Sequence, residues 1–86
     1  MIKDEVLKLV EKPLMNAGIS VVSVSYEKET SNYFLRIIID KVGGVDLDTC
    51  VLATNIINPL LDDANIIENI IKDDNYILDV CSKGGN

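Results

Sequence analysis

Apolar residues in the first part of the chain recur at helical spacing. Ile2, Val6, Leu9, Val10, Leu14 and Ala17 fall on one side, with Lys8, Glu11 and Lys12 on the other. This predicts an amphipathic helix over 2–17, closed by Gly18 in the left-handed position that ends many helices. Pro13 removes one backbone hydrogen bond at a cost of about 3 kcal/mol, which predicts a kink or a break into two shorter helical pieces. The period then falls to two. In "SVVSVSYE" (20–27), Val22, Val24 and Tyr26 share one face, and Ser23, Ser25 and Glu27 the other. "KETSN" (28–32) is a polar turn. In "YFLRIIID" (33–40), Leu35, Ile37 and Ile39 point to the core, whereas Phe34, Arg36, Ile38 and Asp40 point away. The two strands form a hairpin.

Helical spacing returns over 47–61, with an expected core stripe of Leu47, Cys50, Val51, Thr54, Ile57 and Leu61. Asp46 is placed to cap this helix, and Asp48 lies near its positive end. Pro59 is expected to break the last turns. "IIENII" (66–71) fits either a helical turn or a short strand, and "KDDN" (72–75) is a turn. "YILDVC" (76–81) is a third strand with Tyr76, Leu78 and Val80 facing inward.

The order helix-strand-strand-helix-strand predicts a two-layer α+β domain, a three-stranded sheet with both helices packed on one face. The second helix forms a crossover, so the third strand should run parallel to the second. The domain is expected over residues 1–81, with 82–86 as a flexible tail.

At 86 residues the chain fits one small domain, which buries roughly 60–65% of its unfolded surface and leaves little room for an enclosed active site. Aromatic residues are 5% of the composition, so the core must be aliphatic. No apolar run approaches the ~20 residues that span a bilayer, and the first residues do not resemble a signal peptide. A cytoplasmic protein without membrane contact is expected. The chain has two cysteines and no histidine, which closes the possibility of a structural zinc site. A cytosolic setting disfavours a disulfide between Cys50 and Cys81.

The net charge of −6 is unevenly distributed. Residues 1–42 hold six acids and six bases; residues 43–86 hold eight acids and two bases. Nucleic-acid binding draws on a basic stripe, and this chain has the opposite field. The acids either attract a basic protein or simply keep a small domain soluble.

"DKVGGVDLDTC" (40–50) tests three chemistries. It lacks the spacing and the lysine of a phosphate loop. It also lacks the ligand pattern of a calcium loop. Gly43 and Gly44 suit a strand-to-helix turn, and capping accounts for Asp46. The same stretch resembles the signature of the N-terminal domain of the bacterial ribosome maturation factor RimP. The similarity extends through "EKPLMNAGISVVSVSYEKE", "NYFLRIIID", "NPLLDD" and "NYILDVCSKG". The resemblance implies the same element order, akin to KH-like and α-lytic-protease-prodomain-like domains. It also implies a non-enzymatic factor for maturation of the small (30S) ribosomal subunit, docking on a basic ribosomal protein and nearby rRNA. Family members usually continue through a Ser-Pro-Gly stretch into an SH3-like barrel. Ser82-Lys83-Gly84 stands in that place, and the barrel is expected to be absent from this chain.

Catalysis finds no support, because a serine or cysteine nucleophile would lack its commonest base. No cofactor, metal or small-molecule substrate is expected. Cys50 reads as a small core side chain; Cys81 near the strand end stays open. Phe34, Arg36 and Ile38 lie on the outward side of the second strand, where they form either a docking surface or a patch covered by a second domain or the tail. With Asp40, Asp46 and Asp48 they make up the candidate partner-binding set. The competing reading, a stand-alone KH-like RNA-binding module, requires a glycine-bracketed basic loop.

Overall fold

A computed structural model describes residues 2–63 and 76–83. The side chain of Ile2, the ambiguous segment 66–71, the turn 72–75 and positions 84–86 lie outside the described residues. Helix α1 (Ile2–Asn16) leads into strands β1 (Ser20–Glu29) and β2 (Asn32–Asp40), then helix α2 (Leu47–Asp63) and strand β3 (Tyr76–Ser82). The strand order is β1-β2-β3. β1 pairs antiparallel with β2, and β2 pairs parallel with β3. This is the α+β architecture expected from the sequence, a mixed three-stranded sheet with two helices.

The core is aliphatic. Val6, Val10 and Leu14 of α1, Leu35, Ile37 and Ile39 of β2, and Ala53 and Ile57 of α2 are each 0% exposed. Val24, Leu61 and Ile19 complete the buried set, and Leu78 and Val80 of β3 pack against it. Central strand β2 therefore points its alternate residues into the helical layer.

Neither proline breaks its helix. Pro13 lies inside α1 and Pro59 inside α2. Val10 and Leu14 flank Pro13 and are fully buried, as Ile57 and Leu61 flank Pro59. Burying one such side chain gives about 1.5–3 kcal/mol, so two of them offset the ~3 kcal/mol cost of the proline.

Helix α1 ends one residue earlier than expected, and Ala17 is exposed beyond it. Gly18 has φ +82°. Its N–H bonds to the Met15 carbonyl, and the Ile19 N–H reaches back to the Leu14 carbonyl, both at 2.9 Å. These two bonds define a Schellman closure. It turns Ile19 into the core beside Leu14.

Two faces differ from the sequence pattern. In β1 the pairing steps from Val21↔Ile39 to Ser23↔Ile38, so Val22 is the extra residue of a β-bulge. Val22 is 47% exposed, and Val21 takes the inward place against the core. In α2 the buried residues are Thr49, Ala53, Ile57 and Leu61. Leu47 (77%) and Val51 (51%) are exposed, and Cys50 is half-buried. Ile57 and Leu61 are buried as expected, whereas over the first turns the buried face is rotated from the expected one about the helix axis. The later, larger side chains Ile56, Ile57, Leu60 and Leu61 pack on the core and set the rotation for the whole helix.

Candidate partner-docking face

The sheet face opposite the helices carries the outward residues of all three strands. Register places Ser25 beside Arg36 and Glu27 beside Phe34. On the other side Ile77 lies beside Phe34, Asp79 beside Arg36 and Cys81 beside Ile38. Phe34, Arg36, Ile38 and Asp40 thus share one face, as alternation along β2 requires. All four are half-buried.

Arg36 organises the centre of this face. Its Nε donates to Asp79 Oδ2 at 2.9 Å, and its guanidinium lies 3.6 Å from Glu29 Oε2. The same group stands 5.7 Å from the centre of the Phe34 ring, within range of a cation–π contact. The Cys81 thiol donates to the other Asp79 oxygen at 3.2 Å. The Arg36 bond, and then the Cys81 bond, hold the Asp79 carboxyl below the usual aspartate range. Burial first, and then the bond to Asp79, push the Cys81 thiol up. The hydrogen bond to Asp79 is the main cause that raises Arg36.

Asp46 and Asp48 do not join this group, because they sit at the start of α2 in the other layer. The turn that leads there closes with a Gly44 N–H to Lys41 carbonyl bond of 2.9 Å. Gly43 (φ +92°) takes the position that requires positive φ. Asp46 is the N-cap. Its Oδ1 accepts from the Thr49 N–H at 2.8 Å and from the Thr49 hydroxyl at 2.7 Å. The hydroxyl bond and then the backbone bond lower the Asp46 pKa. The carboxylate remains negative but is committed to the helix.

Sequence reasoning left out Asp79, Glu29 and Ile77 as members of the face. A signal for Asp79 was present: it alternates with inward Leu78 and Val80 in a strand parallel to β2, so an acid had to emerge beside that strand's arginine. Glu29 was hidden because the sequence pattern ended β1 at residue 27.

Among the described residues, no group of three or more His, Cys, Asp or Glu side chains is arranged to hold a metal. No helix there is long and apolar enough to cross a membrane.

The structure is thus a small mixed-sheet domain whose outer face mixes apolar and acidic side chains. A family model described as the RimP N-terminal domain matches residues 9–86, and the chain belongs to that family. The RimP family is one of ribosome maturation factors and is not a known enzyme family.

Proposed function

We propose that this domain serves maturation of the small (30S) ribosomal subunit in the bacterial cytoplasm by docking on a basic ribosomal protein, with weak contact to nearby rRNA. It holds and positions; it makes and breaks no bond. The reading rests on the carboxylate excess of the outer sheet face. Glu27, Glu29, Asp40 and Asp79 surround Phe34, Ile38 and Ile77 there, and Arg36 is already paired with two of these acids. Such a surface attracts lysine and arginine and repels phosphate. Asp46 and Asp48 extend the negative field at the start of α2.

Co-sedimentation of the 86-residue chain with small subunits from cells lacking the factor is the expected result. Replacing Phe34 and Ile38 by Ser should weaken it by about tenfold or more, given the apolar area lost, with folding checked by thermal melting. Absence of co-sedimentation overturns the proposal. Tight binding of hairpin RNA with a steep salt slope would instead favour the KH-like alternative.

A further inference from the structure

We propose that the outward face of α2, built from Leu47, Cys50, Val51 and Thr54, is a second docking surface, and that it takes a cationic, amphipathic segment of a partner protein. The inference shares its partner class with the function proposed above but uses the opposite layer of the domain.

Leu47 and Val51 are one turn apart and exposed, and Val42, at 98% exposed, precedes them in the turn. Two shallow hollows line this face. One is walled by Val45, Asp46, Leu47 and Cys50, the other by Cys50, Val51, Thr54 and Asn55. They meet at Cys50, so an apolar track runs over the first two turns of the helix. Leu47 and Val51 lie off the buried face of α2, which presents Thr49, Ala53, Ile57 and Leu61 to the core. Contiguous exposed apolar groups of this kind mark contact sites.

Charge selects the occupant. Between Leu47 and Asp63 the helix has no lysine or arginine, while Asp46 and Asp48 stand at one end and Asp62 and Asp63 at the other. A second copy of the chain would bring these carboxylates against their own kind, and like charges across an interface are costly. A segment with aliphatic residues on one side and Lys or Arg beyond them matches both the track and the acids at the two ends of the helix that carries it.

The test uses the 86-residue chain and two synthetic helical peptides, one of Leu and Lys and one of Leu and Glu in the same pattern. A soluble paramagnetic probe should broaden the Leu47 and Val51 methyl signals; if it does not, the face is closed and the proposal falls. The Leu/Lys peptide should shift amide signals over residues 45–55, and the Leu/Glu peptide should leave them in place. Leu47→Ser with Val51→Ser should cut affinity about tenfold or more, with the melting temperature held because both sites are exposed. Shifts confined to 34–38 and 77–81, unchanged affinity of the double variant, or a dimer that this variant abolishes would each overturn it. Small-subunit co-sedimentation run in parallel separates the two proposals: it fails with the ribosomal reading and is indifferent to the peptide result.

Discussion

Arg36 and Asp79, 43 positions apart in sequence, are joined by a 2.9 Å hydrogen-bonded ion pair across the parallel β2–β3 ladder. This pair links the hairpin to the strand that returns after α2, and it fixes the side chains at the centre of the outer face. The folded Asp79 pKa lies below its ordinary value of 3.8. A depressed carboxylate contributes stability that is present above the unfolded pKa and is lost as pH falls through the folded one. Asp79→Asn should therefore lower the melting temperature at pH 7 by a modest amount, in keeping with a solvent-accessible pair. The gap to wild type should close below about pH 4. A gap that stays constant from neutral to strongly acidic pH would refute the assignment.

The same substitution changes a cysteine. Asp79 raises the Cys81 thiol both by accepting its hydrogen bond and by its negative charge. With Asn in its place, the thiolate fraction at a given pH rises, and thiolate is the reactive species. In a Cys50→Ser background, alkylation of Cys81 at pH 8 should run faster in Asp79→Asn than with Asp79 intact. An equal or slower rate would show that burial alone controls this thiol.

The cap on α2 gives a sharper contrast. Asp46→Ala removes the acceptor of the Thr49 N–H and leaves the Thr49 hydroxyl, on a residue only 4% exposed, without the oxygen it donates to. The expected fall in melting temperature is about 4–8 °C. Asp46→Asn retains a cap oxygen and should lose much less. Thermal melts of both variants at pH 7 check the order; equal losses would mean that charge, and not capping geometry, is what matters here.

What the sequence made legible follows from how many faces each element offers. In β2, Leu35, Ile37 and Ile39 alternate in a strand whose other face has Arg36 and Asp40, so only one orientation buries the aliphatic set. Asp46 was readable because capping depends on three or four adjacent residues. Helix α2 is different: Ile57 and Leu61 of the expected stripe are buried, but over the first turns Leu47, Cys50, Val51 and Thr54 form one possible face and Thr49 and Ala53 another. Periodicity weighs them alike, and tertiary packing chose the second. The continuity of both helices through their prolines was hidden for a related reason. Their cost is local and visible, whereas the burial of Val10, Leu14, Ile57 and Leu61 that offsets it exists only in the assembled core. The outer face was half-visible: its β2 members followed from alternation, but Asp79 and Glu29 needed the register.

The hairpin turn carries a strained residue. Glu29 pairs with Asn32, which leaves Thr30 and Ser31 as a two-residue loop. Thr30 has φ +56°, a region that is costly for a β-branched side chain. Its hydroxyl, 2.6 Å from the Glu29 carbonyl, donates a local bond in partial return. Positive φ at the first loop position alone matches the turn that ordinarily has glycine there. Thr30→Gly should stabilise the domain by about 1 kcal/mol in urea unfolding, because the relief of strain exceeds the added chain entropy. A loss of stability would mean the hydroxyl bond outweighs the strain.

The bulge at Val22 is the feature of the hairpin that strand periodicity could not reveal, and two serine substitutions probe it. Simple alternation puts Val22 in the core with Val24 and Tyr26 and sends Val21 outward. The register step between Val21 and Ser23 exchanges those roles, because one extra residue shifts every position before it to the opposite face. Val21 then packs against the core while Val22 stands 47% exposed. Val21→Ser should cost about 1–2 kcal/mol through lost apolar burial, whereas Val22→Ser should stay within about 0.5 kcal/mol of wild type, as surface changes do. Urea unfolding of the two variants measures the difference directly. The reverse order would place Val22 inside, remove the bulge and move Ser20 and Val21 to the faces that strict alternation assigns them.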